Sequence, residues 1–506
     1  MQYDLDALLA DVPPQEEPPQ TYEEWVEIHG EPVEVIETHS SFVTIEHAPS
    51  VDKSVVYADL IEKSFITNEK GKLTIDDGIF AKLYMLYNDV VFSNGAFYTP
   101  DGMFSVGKVE NEVLSSISDR LTVNIAQNTT KVVKALKMIS YKDDFNFADR
   151  MIIPFANGDM TVSKTGKWVF THEGKQPVPY RLPVNFIPFG TPKPTPHFDK
   201  WLRDLFSEQD ILTLQEYLGY CFLPTTRGQK ALLLIGEGGV GKSVISRILT
   251  SLFGSAVTAP DDTASFLADK FKTAELENQL VFYEDDLTDR LLEDAGKLKK
   301  LITNETSITA DRKNEQPFKF MPYCRFIMCG NAMLKSANDK SDGFYRRLLP
   351  LAIKPKDPNR KIIPHFGEMV SREAEGIAQW ALVGLKRLID NNWQFSISEG
   401  TEEYLTYYKE MTDPMSTFIN DVVVPDPNET ITDDEMLKAY SVWCNRNAIR
   451  AMSGKALKEW LFNNVTKYGL TRLSSNNILR DGKRHRGYKG GKITQEYTKT
   501  NSIIIK

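Results

Sequence analysis

The chain has 506 residues, more than one hydrophobic core ordinarily needs, so roughly two to four domains are expected. Apolar residues make up 41% of it, yet no apolar run approaches the ~20 residues needed to cross a bilayer, and the first six residues have neither the basic nor the apolar region of a secretory signal. Neither a membrane span nor secretion is expected, and a cytoplasmic location is. The net charge of −9 conceals an asymmetry: residues 1–50 hold twelve acids and no Lys or Arg, whereas residues 431–506 hold fifteen cations against six acids. Cysteine occurs only at 221, 324, 329 and 444, never as CxxC and never with histidines at zinc-site spacing. Reduced core thiols are expected.

In chain order, residues 1–50, with Pro13, Pro14, Pro18 and Pro19 among their acids, read as a flexible acidic arm, either a solubilising tail or a docking segment. Residues 51–195 mix short strand-like runs with turn signals such as Ser93-Asn94-Gly95 and Pro100-Asp101-Gly102, so an α+β region of no evident chemistry is expected. It shows no pair of carboxylates with a partner histidine of the kind that a metal-dependent nucleotidyl transfer needs. The stretch from Pro192 to Pro196 reads as a stiff linker. A helical segment to about Phe222 and alternating strand and helix patterns then make residues 196–410 an α/β layer domain with a parallel sheet.

Within that domain the apolar run Ala231 to Ile235 leads into Gly236-Glu237-Gly238-Gly239-Val240-Gly241-Lys242-Ser243, a complete GxxxxGKS pattern. Val244, Ile245, Ile248, Leu249, Leu252 and Phe253 follow at helical spacing and stop at Gly254. Strand, glycine loop and helix are in the order that cradles phosphates. The loop's N–H groups and the helix N-terminus face the anion, Lys242 supplies charge to the β- and γ-phosphates of ATP, and the Ser243 hydroxyl can ligate Mg²⁺.

Leu280 to Tyr283 is a second strand pattern and ends at Glu284-Asp285-Asp286. There one carboxylate can hold Mg²⁺ and another can orient or deprotonate the attacking water; Glu284 and Asp285 are the candidates for both roles, with Asp286 as a substitute. Residues 307–310 and 318–321 flank a charged tip over 311–317, which reads as a hairpin turn containing Arg312 and Lys313. A third strand pattern, Phe326 to Cys329, ends at Gly330-Asn331, where the amide of Asn331 could sense the γ-phosphate. Arg346 and Arg347 precede another apolar run, and either could neutralise charge developing on a transferring phosphate or form an ordinary surface ion pair.

Residues 411–506 form a small basic domain. Thr432 to Glu435 fits a capping box, followed by Met436, Leu437, Tyr440, Trp443 and Cys444 at helical spacing; a second helix starts near Ser453 and buries Leu457, Trp460 and Leu461. Residues 480–492 then hold six cations, one acid and four glycines. Two helices and a basic, glycine-rich hairpin read as a winged helix with Lys483, Arg484, Arg486 and Lys489 toward nucleic acid.

The order GEGGVGKS, LVFYEDD, a basic loop, FIMCGN and FYRR resembles the motif series of the superfamily 3 helicases, a branch of the AAA+ ATPases. The likeness is nearest to the phage and poxvirus-type primase-helicase group, and Ile152 to Asp159 and Phe198 to Leu202 are similar to the region before the ATPase there. The resemblance covers about residues 150 to 500. It implies a P-loop AAA+ core, a homo-oligomeric, hexameric ring moving 3′ to 5′ on single-stranded DNA, and unwinding of forked DNA. An arginine would be supplied across the subunit interface, and a channel hairpin would place Arg312 and Lys313 on the sugar-phosphate backbone. A separate primase, polymerase or single-strand-binding protein would be its partners. Val240 departs from the Asn often found before the Gly-Lys in this class, and the N-terminal third lacks a primase's acidic pattern. Two other readings stand beside this one: an origin-binding initiator that uses ATP only to assemble, and a P-loop motor that packages DNA or acts on protein.

Overall fold

The strand-sized apolar runs come together as one parallel sheet. A computed structural model of the chain describes residues 43–498 except 48–52, 68–70, 144, 146, 149, 164–166, 174, 261, 288–294, 304–305, 314–315, 332–341, 357, 359–362, 413, 448–450 and 476. The acidic arm expected over 1–50 falls outside the described residues, apart from the strand β1 (Val43–His47). The chain divides into two compact units, Met1–Glu402 and Glu403–Lys506.

In the first unit, α1 (Lys53–Ser64), β2 (Phe65–Thr67), β3 (Leu73–Ile75), α2 (Asp77–Asn88) and the meander β4 (Val91–Ser93), β5 (Ala96–Thr99), β6 (Gly102–Phe104) are followed by α3 (Val106–Ser118) and α4 (Ile125–Ile139). Their helices close a core of their own around Phe80, Val109, Val113, Ile117, Val132 and Leu136. The two turns foreseen in the sequence are there: Asn94 and Gly95, both with positive φ, join β4 to β5, and Gly102 opens β6.

The rest of the region expected over 51–195 packs elsewhere. Strands β7 (Ile152–Phe155), β8 (Gly158–Val162) and β9 (Trp168–His172) make a sheet in the order β1-β9-β8-β7, and its inner aromatics belong to the same core as the parallel sheet. Phe155 lies 6.0 Å from Phe222, which lies 4.8 Å from Phe253 at the end of the helix behind the glycine loop. Pro192 to Pro196 is correspondingly no free spacer. The Lys193 amide donates to Gln379, its ammonium pairs with Glu375, and Pro196 opens the helix α5 (Pro196–Leu205).

After α5 come α6 (Glu208–Tyr220), β10 (Ala231–Ile235), α7 (Val244–Phe253), β11 (Val257–Thr258), α8 (Thr263–Ala268), β12 (Val281–Leu287), α9 (Ala295–Thr303), the antiparallel pair β13 (Ile308–Ala310) and β14 (Phe318–Phe320), β15 (Arg325–Gly330), α10 (Asp342–Tyr345), β16 (Leu348–Ala352), α11 (Phe366–Arg372) and α12 (Ala374–Asp390). The sheet order is β11-β12-β15-β10-β16, all parallel. Because helices cover both faces, β10 and β15 are buried at every residue, which explains their unbroken apolar sequence. The order inserts β15 between the strand leading to the glycine loop and the strand carrying the acids. Arg325 anchors the start of β15: its buried guanidinium, with no carboxylate partner among the described residues, donates to the carbonyls of Cys221 and Thr225, after the negative end of α6, and to that of Tyr323.

Helix α13 (Glu399–Thr412) leads into the second unit: α14 (Pro414–Val422), β17 (Val423–Thr432), α15 (Asp433–Arg446), α16 (Gly454–Asn464), β18 (Thr471–Arg472), β19 (Ile478–Arg480), β20 (Lys483–His485), β21 (Gly487–Ile493) and α17 (Gln495–Thr498). The capping box at Thr432 and Glu435 is formed in both directions, and Met436, Tyr440, Trp443, Cys444, Leu457 and Leu461 fill the core. Strand β21 lies between β17 and β18, while β19 and β20 form a hairpin whose turn, Asp481-Gly482, has positive φ at both residues. All four cysteines are free thiols and buried. Among the described residues no helix is long and apolar enough to cross a membrane.

Candidate nucleotide site

The glycine loop leaves the C-terminal end of β10, and its glycines meet different constraints. Gly239 and Gly241 have φ of +77° and +99°, which a side chain rarely allows; a Cβ on Gly236 would stand 2.7 Å from Ile353. Gly238 is open on all sides, and Val240 turns inward. Exposed Ser243 stands just before the first turn of α7, whose buried face is Ile245, Ile248, Leu249, Leu252 and Phe253, and Gly254 ends it. The Lys242 ammonium donates to the Glu237 carbonyl at 2.9 Å, to the Gly236 carbonyl, and to Oδ1 of Asn331 at 3.0 Å. That last bond joins the loop to the tip of the inserted strand. Residues a long way apart in sequence thus meet because β15 lies beside β10, with Ile235 paired to Gly330.

The acids differ from the sequence expectation in one respect: they do not follow the strand but lie within it. Register pairs Glu284 with Met328 and Leu287 with Gly330, so three residues of β12 span two of β15 and a bulge falls at Asp285-Asp286. The bulge re-aims the side chains there. Glu284 is only 2% exposed, whereas Asp285 and Asp286 are exposed. Burial pushes the Glu284 carboxyl up to about 7, against the hydroxyl of Thr263, which donates to its Oε2 and lowers it. Its other oxygen has no partner among the described residues. Asp285 accepts the Tyr283 hydroxyl.

An exposed Ser hydroxyl, a carboxylate oxygen left unpartnered and an exposed Asp are a donor set suited to Mg²⁺, which keeps several waters and needs few protein ligands when phosphates supply the rest. No group of three or more His, Cys, Asp or Glu that could hold a metal ion is found among the described residues.

Arg346 and Arg347 lie at the other end of the sheet. Leu348, directly after them, pairs with Ala231 at the start of β10, while Ala352 pairs with Ile235 beside the glycine loop. At about 3.3 Å per residue Arg347, five residues before Ala352, is about 16 Å from its own loop along the strand, and Arg346 is further still. Arg346 is exposed, and the Arg347 guanidinium donates to the Gly343 carbonyl.

The hairpin expected between the acids and Asn331 is present as β13 and β14, with Ile308 opposite Phe320 and Ala310 opposite Phe318. Its two basic tip residues differ. Lys313 is exposed, whereas Arg312 pairs with Glu277 and lies 4.2 Å over the Phe318 ring. In the second unit Lys483, Arg484, Arg486 and Lys489 are all exposed along β20 and β21. Two cations of the same basic run are engaged at home: Arg480 with Glu435 and the Thr430 carbonyl, and Lys492 with Asp426.

Sequence reasoning missed two residues that hold the site together. Fully buried Trp201 on α5 donates its indole N–H to the Gly241 carbonyl at 3.0 Å, pinning the loop from behind. Thr263 fixes one oxygen of Glu284. Neither has a local signal, since each acts through a contact far away in sequence.

The comparisons with known proteins differ in how much of the chain they cover. Residues 234–347, from the end of β10 to Arg347, match a family of unknown function, DUF5906. No curated protein matches the chain. Among solved structures, the apo C-terminal region of NrS-1 aligns at 15% identity over 83% of this chain and 100% of that one, with a TM-score of 0.49. Its A form gives 14%, 83%, 100% and 0.48. The JCV helicase, in complex with a small molecule, gives 13% identity over 48% of this chain and 62% of that one, with a TM-score of 0.25.

Proposed function

We propose that the chain is an ATP-driven replicative DNA helicase of the superfamily 3 type. One observation carries the reading: the 3.0 Å bond from Lys242 to Asn331, which makes the glycine loop and the tip of the inserted strand one site, beside the strand that holds Glu284. An isolated phosphate-binding loop needs no such partner, but a hydrolase must place polar groups around the γ-phosphate.

In this reading the N–H groups of residues 236–243 and the start of α7 hold the phosphates, and the Lys242 ammonium exchanges the carbonyls of Gly236 and Glu237 for phosphate oxygens. Ser243, with Asp285 or Glu284, would hold Mg²⁺, which neutralises charge on the triphosphate when bound. Glu284, buried and with a pKa near neutrality, takes the proton of the attacking water, and Asn331 orients that water. Arg346 or Arg347, too far from its own loop, completes a neighbour's site, so turnover depends on a homo-oligomer, a hexameric ring by resemblance. Arg312 and Lys313 grip the threaded strand. The second unit's order of helix, strand, two helices, strand, basic hairpin and strand supports a winged helix that presents Lys483, Arg484, Arg486 and Lys489 to DNA. A phage or mobile element copying its own DNA would use such a motor in the host cytoplasm, 3′ to 5′, with a separate primase, polymerase or single-strand-binding protein.

The test is ATP hydrolysis by the purified full chain with and without single-stranded DNA, followed by unwinding of a forked duplex. DNA-stimulated turnover and unwinding are expected, and Lys242→Ala should lower turnover at least about 10³-fold. Mixing Arg347→Ala with Lys242→Ala subunits should restore part of the hydrolysis. Turnover indifferent to DNA would point to a motor acting on protein; tight duplex binding with negligible turnover would point to an assembling initiator.

A further inference from the structure

In residues 53–143, the part of the first unit before the sheet that carries the glycine loop, the cations are unevenly placed. Residues 124–142 hold four lysines and no Asp or Glu, in a protein of net charge −9. They form α4, which buries Thr129, Val132, Val133 and Leu136 in its own small core. The other face presents Lys131 and Lys134, with Lys137 half-buried one turn further and Lys142 just past the helix.

Among the described residues no carboxylate pairs with Lys131, Lys134 or Lys142, and Lys137 stands 5.6 Å from the Phe92 ring centroid. Like charges spaced three residues apart on a helix repel one another. The negative end of the helix accounts for Lys137 in the last turn, but not for Lys131 in the middle. At the same end lie the most exposed apolar groups of this region: Met138 at 72% and Tyr141 at 56%, with Ile139 at 46%. Tyr141 donates its hydroxyl to Asp143, the acid that ends the basic run, at 2.9 Å. That bond fixes the phenol of a residue that is 56% exposed as a whole.

We propose that this face of α4 is a binding site for single-stranded nucleic acid, with Lys131, Lys134, Lys137 and Lys142 on the phosphates and Tyr141 with Met138 against a base. The choice of polyanion rests on the reading of the chain as a DNA motor. A cationic row ending in an exposed ring is the combination that follows a flexible strand without reading its sequence. A membrane surface fits less well, because the apolar face that α4 would have to insert is already spent in its own core.

The experiment titrates a fluorescent oligothymidylate into the full chain at several salt concentrations, for wild type, for Lys131→Glu with Lys134→Glu, and for the milder pair Lys131→Gln with Lys134→Gln. Reversal should weaken binding at least tenfold. Neutralisation should reduce the salt slope by about 1.4, the share of two single-strand phosphate contacts. Both should leave hydrolysis in the absence of DNA unchanged, and an unchanged melting temperature and circular dichroism spectrum report that the small core around α4 is folded. If the wild type binds the strand and both variants bind it equally with the same slope, the α4 site is wrong and the motor reading stands. If the wild type hydrolyses ATP but binds no strand, the motor reading falls and takes the site with it. Two further probes name other occupants: if reversal spares the strand but abolishes binding of a peptide of residues 1–42, or sedimentation with phosphatidylserine vesicles, the face belongs to the acidic arm or to lipid, and the proposal is overturned.

Discussion

The glycine loop and the two basic hairpins are both expected to meet phosphate, but they are built from different materials. The loop works through main chain, and its requirements are local: positive φ at Gly239 and Gly241, no room for a side chain at Gly236, and a buried strand before it. The hairpins work through side chains, whose availability is decided by partners elsewhere. Arg312 is already engaged by Glu277 and Phe318, and Arg480 and Lys492 serve their own domain. Counting cations therefore overstates a binding surface, whereas counting loop glycines does not overstate an anion cradle. Mutations should follow the same division, with large effects on chemistry in the sheet and smaller effects on affinity at the hairpins.

The sharpest test of the first half is Glu284→Gln, which keeps shape and removes the base. Turnover should fall about 10²- to 10⁴-fold with ATP binding retained. In the wild type kcat/KM should rise with pH up to an inflection near 7, since the free enzyme's base must lose its proton. Stability should move in the opposite direction. The folded state raises this carboxyl above its ordinary 4.5, so its stabilising contribution is complete below that pH and is lost as pH rises through about 7. Glutamine behaves as the protonated form, so the variant should gain in melting temperature relative to wild type between pH 6 and pH 8. A constant difference across that range would mean that Glu284 is ionised throughout and that its burial has no bearing on the chemistry.

How much of this could be read in the sequence follows from the same contrast. Strand β10, helix α7, the hairpin strands β13 and β14, and the capping box at Thr432 were legible because a periodicity or a turn signal lies within a dozen residues of each. The place of Pro192 to Pro196 was not, because proline composition cannot show that Lys193 faces Gln379 and Glu375 across nearly two hundred residues. Nor could composition divide the region over 51–195, whose second half packs its aromatics onto Phe222 and Phe253. In the site, Lys242 was legible from the glycine pattern and Asn331 from its place after a strand, whereas Glu284, expected at a strand end, lies inside β12. The bulge at Asp285-Asp286, the Trp201 bond to the loop and the Thr263 bond to Glu284 arise only when separate segments are laid side by side.

An intermediate effect is expected at the first hairpin. Arg312→Ala with Lys313→Ala should leave basal hydrolysis intact while removing DNA stimulation and unwinding. Glu277→Gln sharpens the comparison, because it releases Arg312 without deleting it: strand affinity should rise a few-fold if the guanidinium exchanges carboxylate for phosphate. Unchanged affinity in Glu277→Gln, with loss in the double variant, would leave Lys313 as the contact and Arg312 as a brace on Phe318.

The smallest effect should come from the second hairpin, and there the structure separates two kinds of cation in one basic run. Lys483→Ala with Arg484→Ala removes exposed charge from β20, so duplex binding should lose about 1.8 from its salt slope, with melting temperature and basal hydrolysis unchanged. Arg480→Ala, three residues away, removes a guanidinium bonded to Glu435 and Thr430, and Glu435 is half of the capping box that starts α15. That side chain is more than a third exposed, so the loss should stay under about 1 kcal/mol, read as a small drop in melting temperature with the salt slope intact. If Arg480→Ala instead changes the slope as much as the pair does, the ion pair opens on binding, and the division between structural and DNA-facing cations does not hold in this domain.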